Sequence, residues 1–180
     1  MADALSTNYF KLFEIPVSYD VDLEQVQHRY RDLQKAVHPD KYANASAQER
    51  RISMQHTSLI NQALHTLKQP VERAMYLLQL KGVDFTMDNE TTMDAAFLME
   101  QMEMREKLEA VREQNDPLAE LDSMSADVKS NMDDVADEFK RAYAADELDD
   151  SREAVRKLQF LAKSKKEIDE LAASIEDEMI

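Results

Sequence analysis

The chain has 180 residues, 43% of them apolar, enough for one medium domain or two small ones with cores of their own. One glycine, four prolines and no cysteine exclude disulfides and thiolate ligands for zinc or iron–sulfur clusters, and disfavour open α/β or all-β folds, which draw on glycine for their turns. The net charge of −15 lies entirely in one part: residues 1–75 hold nine basic and nine acidic side chains, residues 76–180 hold 13 and 28.

Alanine, leucine, glutamate, lysine, glutamine and methionine dominate, so an all-α chain is expected. The difference in charge between the halves suggests two modules, of which the acidic one repels nucleic acid and favours a basic partner. The N-terminus MADALSTNYF carries neither a signal-peptide apolar run nor a basic presequence. No stretch approaches the roughly 18 apolar residues of a membrane span, and a soluble intracellular protein is expected.

In chain order, NYFKLFEIP (8–16) reads as a compact apolar turn or short helix, with Tyr9, Phe10, Leu12 and Phe13 as core anchors. Asp22 is the expected N-cap of a helix over 23–37. Along it Val26, Tyr30, Leu33 and Val37 share a narrow arc, while His28, Arg31 and Lys35 cluster almost opposite. Pro39, lacking an N–H and restricting the residue before it, ends this helix. After the polar connection KYANASAQER, a helix over about 47–67 has a seam of Ile52, His56, Ile60, Ala63 and Leu67, and these two helices should pack antiparallel.

Pro70 suits the first turn of a helix over 71–80, closed by Gly82. That helix is too apolar to be a free linker: it packs on one module or joins the two. Three longer helices follow, over 93–113, about 117–144 and about 150–178, and predict an antiparallel three-helix bundle. The expected domains are thus 1–75 and 84–180, joined by 76–83.

The 93–113 helix carries more apolar surface than one seam requires. Phe97, Met104, Leu108 and Val111 form a bundle stripe; Leu98, Met99 and Met102 lie on other arcs, with Glu103 and Glu106 at their edge. Phe160 similarly lies off the Leu161–Ile168–Ile175 stripe of its own helix. Two readings stand: an adaptable partner surface, or a face that the 71–80 helix covers.

Catalytic signatures are missing. The histidines at 28, 38, 56 and 65 form no HExxH, and there is no GxSxG, GxGxxG or GxxxxGK[ST]. His38 and Asp40 flank a proline with no nucleophile indicated, so no catalytic, metal or cofactor site is expected, and no enzymatic activity. The basic helix is too small a footprint for nucleic acid, and an acidic protein partner suits it better.

A basic amphipathic helix, His38-Pro39-Asp40 and an antiparallel return helix resemble a J-domain, the module that stimulates ATP hydrolysis by a heat-shock-type chaperone. The flanks YRDLQKAVHPDK and INQALHTLKQPVERAMYLLQL, with AAFLMEQMEMREKLEAV and VRKLQFL further on, extend the resemblance to the HscB family of iron–sulfur cluster assembly co-chaperones over essentially the whole chain. The resemblance implies that His38, Pro39 and Asp40 stimulate an HscA-like ATPase, with Arg29, Arg31 and Lys35 as the positive docking surface and Lys41 as an extension. It also implies that Leu98, Met99, Met102, Glu103, Glu106 and Phe160 bind the scaffold protein IscU; Met102 replaces a leucine of the family with another flexible apolar side chain. Human-type relatives can carry an additional cysteine-rich N-terminal metal module that this sequence does not show, which favours a bacterial or otherwise minimal form; a bacterial, cytoplasmic location is expected. A general J-protein adaptor with another client, or a purely structural helical module, are the alternatives.

Overall fold

The computed structural model describes residues 8–37, 46–83 and 94–178. Its helices are α1 (Tyr9–Leu12), α2 (Leu23–Val37), α3 (Ala47–Lys68), α4 (Pro70–Leu80), α5 (Ala95–Ala110), α6 (Pro117–Ala144) and α7 (Leu148–Glu178), with a 3₁₀ turn at Val111–Glu113 after α5. Among the described residues all regular structure is helical, and the chain divides into two compact units, Met1–Val83 and Asp84–Ile180.

In the first unit α2 and α3 pack together, and α1 and α4 complete the core. Phe10, Phe13, Val26, Ile60, Ala63, Leu67, Ala74, Leu77 and Leu78 are buried. Tyr9 stacks on Tyr76 at 4.3 Å between ring centres, and its backbone N–H donates to the Tyr76 hydroxyl at 2.9 Å, which binds α1 to α4. Helix α4 and the segment 76–83, expected as a connection, thus lie in the first unit. The buried Arg73 donates from Nη1 to the Leu67 carbonyl at 2.5 Å, satisfying a C-terminal acceptor of α3 that has no helical partner.

The ends of these helices follow from local chemistry. Asp22 Oδ1 accepts from the N–H groups of Glu24 and Gln25, as a capping aspartate should. Ser46 and Glu49 form a reciprocal capping box at the start of α3. Gly82, at φ +78°, ends α4: its N–H reaches the Gln79 carbonyl and that of Val83 reaches Leu78, a Schellman pair. The same pair closes α1 through Glu14 and Ile15 and α6 through Asp146 and Glu147, although neither Glu14 (φ 54°) nor Asp146 (φ 62°) is glycine.

One expected core position is corrected. Ile52 is 42% exposed, and its neighbour Ser53 is buried instead. At about 100° per residue the arc through Ile60, Ala63 and Leu67 passes closer to Ser53. Burial of the Ser53 hydroxyl is compensated by its hydrogen bond to the Val37 carbonyl.

The second unit is built on the α6–α7 hairpin. Leu121, Met124, Val128, Val135, Phe139 and Ala142 of α6 are buried, as are Ala154, Val155, Leu158, Leu161, Ile168 and Ile175 of α7. Their three- and four-residue spacing makes one long stripe on each helix. Helix α5 is held differently: within it only Phe97 is buried, with Val111 in the following turn, while Met104 and Leu108 of the expected stripe are half-buried. Grooves on both sides of α5 explain that partial exposure. The expected start at 93 lies outside the described residues, and α7 begins at Leu148, before the expected 150.

Candidate docking surfaces

On the first unit, α2 presents the positive face. Val26 is buried, and Tyr30, Leu33 and Val37 are half-buried against the unit. Arg31 and Lys35 are exposed, and His28 places Nδ1 3.3 Å from the Asp32 carboxylate one turn on. Arg29 behaves otherwise. It lies about 60° around the helix from Val26, close to the buried arc, and makes an ion pair with Glu14 in the turn after α1. The structure therefore separates Arg29, which ties two elements together, from Arg31 and Lys35, which face water.

Two sets of hydrogen bonds hold α2 in its orientation. Asn61 Oδ1 on α3 accepts from the Tyr30 hydroxyl at 3.0 Å and from Gln34 Nε2 at 2.8 Å. At the end of α2, Ser53 Oγ donates to the Val37 carbonyl at 2.6 Å. These bonds fix which face of α2 is turned outward and where its last turn stops. His38, Pro39, Asp40 and Lys41 follow directly and lie outside the described residues.

On the second unit, the groove between α5 and α7 has a volume of about 320 Å³ and brings together Leu98, Met102 and Phe160, with Met104, Leu108 and Lys163 beside them. Phe160 is half-buried, and its ring meets Phe97 edge to face at 6.2 Å. Met102 is 64% exposed and joins the groove to an outward arc of α5 that carries Met99, equally exposed, and the exposed Glu103 and Glu106. Glu103 also borders the groove on the α6 side. Three of the six expected residues thus line one groove, and the other three continue its α5 wall around the helix.

The N-terminal end of α5 is set by Asp94, whose Oδ1 accepts from the Phe97 N–H at 3.1 Å. Its carboxylate also takes the Lys157 ammonium at 2.8 Å. The Lys157 bond, followed by the Phe97 N–H, holds the Asp94 carboxyl below the usual aspartate range. Burial pulls the Lys157 ammonium downward, but its bond to Asp94 and the charges of Glu138, Asp94 and Glu153 outweigh that and raise it. Periodicity does not single out Lys157 or Asp94, because their partnership joins positions far apart in the chain. At the other end, Arg112 pairs with Glu178 at 2.8 Å. Among the described residues no group of three acidic or histidine side chains is arranged to hold a metal, and no helix is long and apolar enough to cross a membrane.

Comparison with known proteins matches residues 8–76 to the DnaJ domain and residues 93–169 to the HSCB C-terminal oligomerisation domain. A co-chaperone protein HscB homolog of Shewanella halifaxensis is 44% identical over 165 residues, spanning 89% of this chain and 94% of its own. That of Shewanella denitrificans is 41% identical over 96% of this chain and 99% of its own. Chaperone HscB from Vibrio cholerae has the same fold with a TM-score of 0.84 and 36% identity, covering 97% of this chain and 100% of its own. Human co-chaperone protein HscB follows with 0.83 and 32%, over 91% and 81%. An all-α chain with a DnaJ domain, a helical C-terminal unit and relatives of this identity along nearly its full length belongs to the HscB family of J-domain co-chaperones.

Proposed function

We propose that the second unit binds an IscU-like iron–sulfur scaffold protein while the first stimulates ATP hydrolysis by an HscA-like heat-shock chaperone, so that the scaffold is delivered to the chaperone and iron–sulfur proteins mature. The observation that carries this reading is the groove between α5 and α7, where Leu98, Met102 and Phe160 converge beside exposed methionine and glutamate side chains. An apolar surface of adaptable side chains ringed by carboxylates suits a protein partner better than a small polar ligand.

In the first unit, Arg31 and Lys35, exposed on the helix that precedes His38-Pro39-Asp40 in the chain, supply the positive surface, and their charge speeds encounter with an acidic chaperone face. Arg29, through Glu14, supports that surface from behind. Carrying both partners on one chain makes the second encounter intramolecular, which raises the local concentration of scaffold at the chaperone. The deciding experiment is single-turnover ATP hydrolysis by the chaperone with co-chaperone and scaffold, each alone and together. Synergy between the two is expected. Stimulation that ignores the scaffold would instead mark a general J-protein adaptor with another client.

A further inference from the structure

The α5–α7 groove rests on a support that reaches across all three helices. The Lys157 side chain on α7 is only 15% exposed, and its ammonium lies 2.8 Å from Asp94, the N-cap of α5, and 3.9 Å from Glu138 of α6. The same ammonium stands 5.7 Å from the centre of the Phe97 ring. Phe97 meets Phe160 edge to face, and Phe160 lines the groove with Leu98 and Met102. A continuous set of contacts therefore runs from Asp94 through Lys157 and Phe97 to the groove wall.

Helix α5 needs such a support. Burial of Phe97, with Leu98, Met104 and Leu108 only half-buried, draws α5 toward the hairpin but, being non-directional, leaves its roll loosely set. Hydrogen bonds and ion pairs are directional and do set it. Asp94 acts twice: its carboxylate holds the Phe97 N–H, fixing the backbone, and it holds the ammonium beside the Phe97 ring. The first turn of α5, which carries Leu98, is thus aligned with the α7 residue three positions before Phe160.

We propose that Lys157 is a positioning residue for scaffold docking: through Asp94 and Phe97 it sets the Leu98–Met102–Phe160 wall to which the partner binds. This inference rests on the reading of that groove as the scaffold surface. The pair Arg112–Glu178 holds the other end of α5 and takes no part in lining the groove, so it distinguishes positioning of the wall from general attachment of the helix.

The test is calorimetric titration of full-length variants with the cluster-free IscU-like scaffold, each variant first checked for its helical signal and melting. Lys157→Met is expected to weaken binding about tenfold, Lys157→Arg to restore most of it, and Asp94→Asn, which keeps a capping oxygen, to weaken it similarly. The double variant Lys157→Met/Asp94→Asn should be no worse than either alone, since both remove the same support. Arg112→Gln should bind as the unmodified chain does. Should Lys157→Met fail to fold, Asp94→Asn decides. Unchanged affinity in Lys157→Met or, in that event, in Asp94→Asn, beside a clear loss in Leu98→Ala/Met102→Ala, overturns this inference and leaves the docking surface standing. An equal loss in Arg112→Gln also overturns it. Unchanged affinity in Leu98→Ala/Met102→Ala overturns the docking surface and the inference together.

Discussion

The Ser53 hydroxyl on α3 donates a 2.6 Å hydrogen bond to the carbonyl of Val37, the residue immediately before His38. A buried serine on one helix therefore anchors the last turn of its neighbour at the point where the HPD tripeptide begins. Ser53→Ala removes the donor and leaves the Val37 carbonyl short of a partner, a loss of about 1–2 kcal/mol. Urea unfolding should show that loss, and chaperone stimulation should fall by a few-fold although no charged docking residue has changed. A variant of unaltered midpoint and full stimulation would refute the anchoring role.

The three cations of α2 should separate in solution. Arg31→Ala with Lys35→Ala is expected to lower chaperone stimulation most at low salt, because exposed charges steer encounter and salt screens them. Arg29→Ala should instead cost less than about 1 kcal/mol of stability by releasing Glu14, with a weaker salt dependence of stimulation. His38→Gln should abolish stimulation while melting and scaffold affinity stay as they are. Stimulation rates across a salt series compare all three.

On the second unit, Leu98→Ala with Met99→Ala should weaken scaffold binding about tenfold, the loss of one modest hot spot, with little change in melting because Met99 is largely exposed. Phe160→Ala should reduce both, since its ring packs on Phe97 as well as lining the groove. Calorimetry beside thermal melts separates binding from folding.

The ties at the two ends of α5 predict an acid limb. The Lys157 bond to Asp94 and the Arg112 bond to Glu178 hold both carboxyls below their ordinary values of 3.8 and 4.5. The folded state then binds fewer protons than the unfolded one, so this contribution is complete above those values and is lost as pH falls through the lowered folded pKa values. Melting temperature should drop below about pH 4. Asp94→Asn should flatten its part of that drop, and added salt should shrink the whole effect.

Gly82→Ala tests a helix end. A Cβ there meets no atom within 4 Å, so the cost is that of φ +78° alone, about 1 kcal/mol. The melting curve should shift down with its shape unchanged.

Much of this molecule is legible in its sequence, and most of the parts that are not share a cause. Val26, Ile60, Leu67, Leu161, Ile168 and Ile175 declare themselves by spacing, because a helix that buries one face repeats its apolar side chains every three or four residues. Asp22 and Gly82 are local signals and were read correctly as helix boundaries. The capping box of Ser46 and Glu49 is equally local but sits inside a stretch whose polarity reads as a connection. The exchange of Ile52 for Ser53 was hidden, since hydropathy favours isoleucine and the acceptor at Val37 lies 16 positions away. The tie of Arg29 to Glu14 and the support of Phe97 by Lys157 were hidden for the same reason. Composition shows which side chains are charged; only the fold shows which of them are already engaged.

The exposure of Met99 and Met102 carries a cost that lies outside docking geometry. A thioether open to water is open to peroxide, and the sulfoxide it forms is polar, chiral and poorly suited to an apolar groove. Met124, only 5% exposed in the hairpin core, is shielded from the same reagent. Mild oxidation should therefore blunt scaffold binding well before it touches the fold, and methionine sulfoxide reductase should bring binding back. The softness that lets these thioethers adapt to a partner thus comes with a chemical exposure that leucine in their place would not have.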